Sequence, residues 1–132
     1  MRKSRNRSVK PPNKPVLVLL ALAGLFLGGC ATTQSTSFPV GDRIHPPKSA
    51  AAVVQFFKDS TPTRKYEPVA RLNVHLEKTF FLKSAFEEAR PQLEDLARRA
   101  GGDAVIQVEE KRSRLNETFI YNVTATAVVF TD

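Results

Sequence analysis

The order of apolar and polar residues predicts four strands and one helix after residue 50. Residues 51–57 are the first strand candidate, because they carry β-branched and aromatic side chains. Residues 66–77 alternate between apolar and polar side chains, as in a strand with one buried face. Residues 104–109 and 118–130 are two further strand candidates, joined by a charged hairpin connection. The last strand is apolar on both faces, which predicts a central position or partial cover by a second subunit.

Residues 86–100 predict an amphipathic helix, because their apolar side chains recur at spacings of three and four. Ser84 and Glu87 match a capping box at its start, and Gly101–Gly102 supplies its end. Pro91 has no amide hydrogen, so we expect a kink there or a break that starts a second helix. The order β-β-α-β-β predicts an α+β fold, with the helix packed on one face of an antiparallel-rich sheet of about four strands.

The N-terminal segment has a different pattern. Residues 16–27 form an uncharged apolar run behind six basic residues: Arg2, Lys3, Arg5, Arg7, Lys10 and Lys14. A basic segment, an apolar segment and then small residues are typical of an export signal. Because a membrane-spanning helix needs about 20 apolar residues, we interpret residues 1–29 as a cleaved signal peptide. The alternative is an uncleaved signal that is retained as an anchor.

The apolar run ends in Leu27-Gly28-Gly29-Cys30, which resembles a bacterial lipobox. The resemblance implies cleavage between Gly29 and Cys30, acylation of Cys30 with palmitate as the expected chain, and attachment to a membrane through this lipid. Ala31 rather than Asp follows the cysteine, which in Gram-negative bacteria resembles the pattern sent on to the outer membrane. Cys30 is the only cysteine, so no disulfide is available.

The net charge of the residues after position 29 differs from that of the whole chain. The chain has a net charge of +7, but 14 basic and 13 acidic residues follow residue 29. The basic cluster at residues 111–114 is interpreted as a solvated loop, and no nucleic-acid partner is expected. Residues 30–50, with the lipidated Cys30, are small, polar and proline-containing. They predict a flexible tether of about 25 Å, followed by a single domain over residues 51–132.

Few residues in this domain could bind a metal or act in catalysis. His45 and His75 lie far apart in the sequence, and Glu77 gives His75 a second possible metal ligand but no third. His75 is the only plausible general base, and no Gly-x-Ser-x-Gly elbow is present. The carboxylates that an enzyme could use suit a solvated helix face or a turn: Glu87, Glu88, Glu94, Asp95 and Asp103. We therefore expect no catalytic site, no cofactor and no metal site.

Three segments together resemble the small β-α-β-β domains of the YbjQ type. They are Tyr-Glu-Pro-Val-Ala-Arg-Leu at 66–72, Ala-Arg-Arg-Ala-Gly-Gly-Asp-Ala-Val-Ile at 97–106 and Val-Thr-Ala-Thr-Ala-Val-Val-Phe at 123–130. The superfamily includes the sensory outer-membrane lipoprotein of the Rcs envelope-stress system, and some YbjQ-type domains form rings. The resemblance covers about residues 53–130 and implies envelope sensing and self-association.

Three functions remain open at this point. The first is a non-catalytic, lipid-anchored cell-envelope protein that works through protein–protein contact, assembly or envelope sensing, with a second copy or an envelope protein as partner. The second is a ligand- or metal-binding envelope module. The third is an envelope enzyme. The lipobox, the neutral charge after residue 29 and the sparse chemistry favour the first.

Overall fold

The computed structural model describes residues 30–132, which form a five-stranded mixed sheet and one helix. The predicted signal peptide, residues 1–29 with Gly29, lies outside the described residues. The elements are β1 (Ala31–Pro39), β2 (Gln55–Phe57), β3 (Tyr66–Lys78), α1 (Phe86–Arg99), β4 (Ala104–Leu115) and β5 (Thr118–Phe130). The strand order in the sheet is β1-β3-β5-β4-β2.

The α+β class is confirmed, whereas the strand count is wrong. A fifth strand, β1, precedes the four predicted ones, and it pairs with β3 in antiparallel fashion. The short β2 pairs with β4 in parallel, and the other three pairs are antiparallel. The predicted central position of β5 is confirmed, because β3 and β4 flank it along most of its length.

The prediction of a flexible tether over residues 30–50 is wrong for its first half. Residues 31–39 form β1, because pairing with β3 satisfies their backbone hydrogen bonds on one side. Every side chain of β1 is exposed, so the strand leaves no apolar period in the sequence. The segment beyond β1 also bonds to the domain: Val40 N donates to Val69 O at 2.9 Å, and Lys48 N donates to Arg98 O at 2.8 Å.

The core lies between α1 and one face of the sheet. Alternate residues of β3 (Leu72, Val74 and Leu76) are buried there and pair in register with Ala125, Val123 and Tyr121 of β5. The helix contributes four buried side chains: Ala89, Leu93, Leu96 and Ala97. The polar residues that alternate with these apolar ones lie on the opposite face of the sheet. That face also carries a small apolar cluster around Ile106 and Val128 at one end.

Helix α1 is unbroken across Pro91, so the predicted break is wrong. Pro91 removes the helical donor for the carbonyl group of Glu87, and both residues are exposed, four positions apart on one side of the helix. The capping box is shifted by one residue from the predicted one. Ala85 is the N-cap, and its amide donates to Glu88 Oε1 at 3.1 Å.

The predicted helix end at Gly101–Gly102 is confirmed as a Schellman motif. Gly101 N donates to Arg98 O at 3.0 Å, and Gly102 N donates to Ala97 O at 2.8 Å. Gly101 has a φ of +78°, and a Cβ at this position would lie 2.6 Å from His45 Cβ. Only glycine therefore fits where the segment around His45 crosses the end of the helix.

Candidate functional site at the Cys30 end of the sheet

Cys30 lies immediately before β1, at one end of the sheet, and is exposed. Its carbonyl oxygen accepts hydrogen bonds from the Thr79 amide at 3.3 Å and from the Thr79 hydroxyl at 3.2 Å. The next residue, Ala31, belongs to one cross-strand row with Lys78, Phe119 and Arg114. Three strand spacings make this row about 14 Å wide. Cys30, the turn after β3 and the β4–β5 hairpin therefore share one end of the molecule.

The turn after β3 presents three consecutive large apolar side chains to solvent. Phe80, Phe81 and Leu82 are 66%, 57% and 55% exposed, and Leu115 in the hairpin is 65% exposed. Phe80 and Phe81 have φ angles of +56° and +59°, and Leu82 N donates to Thr79 O at 3.3 Å, as in a type I′ turn. This turn favours Gly or Asn at its centre, and two phenylalanines there cost about 1–3 kcal/mol each.

Basic side chains surround this turn. The Arg114 guanidinium lies 5.1 Å from the Phe81 ring centroid, and the Lys83 ammonium lies 5.7 Å from the ring centroid of Phe119. Arg112 lies over the ring of Tyr121 and also pairs with Glu110 at 3.1 Å. Within residues 30–132, neither Lys83 nor Arg114 forms an ion pair. Residues 111–114 are exposed, as predicted, but they belong to β4 and not to a loop, and among them Arg114 contacts the turn through Phe81.

A cavity of about 430 Å³ lies beside the turn, on the helix side of the sheet. Ser84 lines it and is only 7% exposed. Because the helix begins one residue later than predicted, the Ser84 hydroxyl does not cap it, and no described group bonds to this oxygen. The basic side chains that line the same cavity are Lys83, Arg112 and Arg114.

Glu110 and Tyr121 form a pair that sequence reasoning missed. Tyr121 Oη donates to Glu110 Oε2 at 2.5 Å, and Lys58 pairs with the same carboxylate. The hydrogen bonds from Lys58 and Tyr121 lower the pKa of Glu110, while burial and the nearby carboxylate raise the pKa of Tyr121. The pair depends on the register between β4 and β5, which includes an irregularity between Ile106 and Glu109.

His75 lies on the polar face of the sheet, as predicted. Its Nδ1 is 2.6 Å from Asn122 Oδ1, and its Nε2 is 2.9 Å from Glu77 Oε1. These two hydrogen bonds, chiefly the one to Glu77, raise its pKa above 6.5. His45 instead lies 3.5 Å from Glu67. The two histidines thus contact different carboxylates, and among residues 30–132 no three metal-binding side chains of the His, Cys, Asp and Glu types form a group.

Most of the other candidate carboxylates have structural partners. Glu88 pairs with Lys78, Glu94 with Arg90 and Arg98, and Asp95 with Arg99. Asp103 pairs with Lys48, and its Oδ2 accepts a hydrogen bond from Phe130 N at 2.9 Å. Burial opposes ionisation of Asp103, but these contacts still lower its pKa. These contacts give Glu88, Glu94, Asp95 and Asp103 structural roles.

The chain matches no family model, no curated protein and no solved structure. Its resemblance to YbjQ-type domains therefore stays a hypothesis. Of the part that the structure describes, no helix has the length and apolar character to cross a membrane.

Proposed function

We propose that this chain is a lipid-anchored bacterial cell-envelope protein, acylated at Cys30 and then cleaved between Gly29 and Cys30, and that it acts without catalysis. The observation that carries this proposal is the Leu27-Gly28-Gly29-Cys30 sequence behind a basic segment and a short apolar run. The exposed position of Cys30 at the edge of the fold supports it, because a modifying enzyme can reach the thiol without unfolding the domain.

The proposed mode of action is protein–protein contact, including assembly or envelope sensing. Strand β1 supports this mode, because it is an edge strand of nine residues with every side chain exposed. Residues 31–39 contain no charged side chain, and proline occurs only at position 39. Charges and prolines are the usual protection of an exposed sheet edge. An edge without them can pair with a strand of a partner or of a second copy.

The location is proposed to be the outer membrane, facing the periplasm, because Ala31 follows the cysteine. Cys30→Ser tests both anchoring and processing. The proposal expects an uncleaved precursor in the inner membrane, whereas the unaltered chain fractionates with the outer membrane. A variant that is processed and located like the unaltered chain contradicts the proposal.

A ligand-binding module on the polar face of the sheet is the second candidate. Asn73 Oδ1 is buried there and has no hydrogen-bond partner among the described residues. It borders a cavity of about 350 Å³ that Arg71, Gln107 and Glu109 also line. Calorimetric titration with zinc, copper and nickel, and soaking with small polar molecules, tests this candidate. A heat of binding that Asn73→Leu abolishes supports a ligand site at Asn73. If zinc, copper and nickel all give no heat, the chain is not a metal-binding module.

A further inference from the structure

We propose that the Cys30 end of the sheet docks into a lipid surface that carries anionic phosphate headgroups. The docking surface comprises Phe80, Phe81, Leu82, Lys83, Arg114 and Leu115. This inference rests on the proposed acylation of Cys30 and adds a second, non-covalent contact to it. The lipid then fixes how the domain is oriented on the membrane as well as where it is attached.

The first argument is the position of the anchor. Because β1 begins at Ala31 and Thr79 binds the Cys30 carbonyl, no flexible segment separates the acylated residue from the sheet. A thioether-linked lipid places Cys30 at the level of the headgroups. The turn at Phe80 and Phe81, which follows Thr79 directly, must then lie at the same membrane surface.

The second argument is the distribution of apolar side chains. Four of the eight exposed large hydrophobic residues among those described lie in the docking surface, and they are all more than half exposed. Aromatic and leucine side chains next to basic ones are typical of surfaces that enter the boundary between headgroups and acyl chains. The left-handed backbone at Phe80 and Phe81 keeps both rings outside the core and lowers the stability of the fold. This cost favours a role for the two rings in binding.

The third argument is charge. Lys83 and Arg114 make no ion pair within residues 30–132, and with Arg112 they border the cavity into which Ser84 brings an unpartnered hydroxyl. Guanidinium, ammonium and hydroxyl groups together suit a phosphate. Glu117 is the acidic residue of the hairpin turn, and its side chain opposes this attraction.

The test uses the full chain, purified with its lipid and reconstituted into vesicles of phosphatidylethanolamine and phosphatidylglycerol. The chain contains no tryptophan, so Phe80→Trp introduces a single fluorescent reporter. Vesicles with brominated acyl chains should quench the emission of this variant at least about twofold, because a docked side chain lies about 5–10 Å inside the headgroup boundary. Leu82→Trp, where the backbone is not left-handed, is a second reporter if Phe80→Trp does not fold.

The matched control is Ile44→Trp, which replaces a residue that is 97% exposed near the opposite end of the sheet. Its emission should not change on bromination. Combining Phe80→Trp with Lys83→Glu and Arg114→Glu should reduce quenching in the anionic vesicles, whereas Arg90→Glu and Arg99→Glu on the helix should not.

The outcomes separate this inference from the proposed function. Mass spectrometry of the same preparation reports acylation, and an unmodified Cys30 overturns both. An acylated chain whose emission is quenched in neither the Phe80→Trp nor the Leu82→Trp variant overturns the docking surface alone. Blue-shifted but unquenched emission also overturns it, since protein rather than lipid would then cover the turn.

Discussion

The carbonyl oxygen of Cys30 accepts both hydrogen bonds that Thr79 can donate to it, one from the amide and one from the hydroxyl. These bonds hold the proposed lipid attachment site against the turn after β3. The domain is therefore expected to lie at the membrane surface, whereas a tether of about 20 flexible residues would let it move about 25 Å away.

The turn after β3 predicts a stabilising substitution. Phe80→Gly removes an exposed side chain and relieves a φ of +56°, so the free energy of unfolding should rise by about 1 kcal/mol. Urea unfolding measures this change. Leu115→Gly is the control, because it also removes an exposed apolar side chain at this end but sits in a strand without positive φ. It should lower the free energy of unfolding by about 0.5–1 kcal/mol. Destabilisation by Phe80→Gly would contradict the assignment of strain.

The helix end predicts a sharp difference between two glycines that share a φ of +78°. Gly101→Ala adds a Cβ 2.6 Å from His45 Cβ, whereas Gly41→Ala adds one with nothing within 4 Å. Thermal or urea unfolding should show a loss of about 2–4 kcal/mol for Gly101→Ala and about 1–2 kcal/mol for Gly41→Ala. Equal losses would show that the crossing of residues 45–46 over the helix end is not tight.

His75 predicts that stability depends on pH. Its pKa is raised in the folded state by Glu77 and Asn122, so its contribution is fully present below the unfolded value of 6.5. That contribution is lost as the pH rises through the folded pKa. The free energy of unfolding should therefore fall as the pH rises above 6.5. In His75→Gln, which keeps a hydrogen-bonding side chain but does not titrate, this part of the fall should disappear. An unchanged pH profile in the variant would contradict the prediction.

Strand β1 predicts a surface substitution that blocks association without harming the fold. Ser35→Lys places a charge in the middle of the exposed edge, which disfavours pairing with another strand. Cross-linking in cells should capture a second copy or a partner with the unaltered chain and much less with Ser35→Lys. Monomer stability should change by less than about 0.5 kcal/mol. Thr61→Lys, in the exposed loop between β2 and β3, is the control. If both variants cross-link as before, association does not use β1.

Strand β3 and helix α1 were predictable because their burial has a period. Leu72, Val74 and Leu76 point to the core, whereas the intervening Asn73 and His75 are half-buried on the opposite, polar face of the sheet. Strand β1 has no such period. Its Thr, Ser and Gln side chains are all exposed, so the same residues suit a tether equally well. The pairing with β3 depends on backbone groups, which every sequence carries.

Of the candidate site, the sequence singled out Cys30 alone, and its acylation stays a prediction. Cys30 follows from a local sequence resemblance. The docking surface depends on register, because Arg114 reaches Phe81 only when β4, β5 and β3 are aligned. Three consecutive apolar residues, Phe80 to Leu82, between a strand and a helix were the available signal, since a loop normally lacks such a run.

The most direct test of this account is mass spectrometry of the intact chain purified from bacterial membranes. We predict a chain that begins at Cys30 and carries a diacylglyceryl group on the thiol, with a further acyl chain on the new N-terminus. A chain that retains Met1–Gly29, or one that begins near Cys30 with an unmodified thiol, would contradict it.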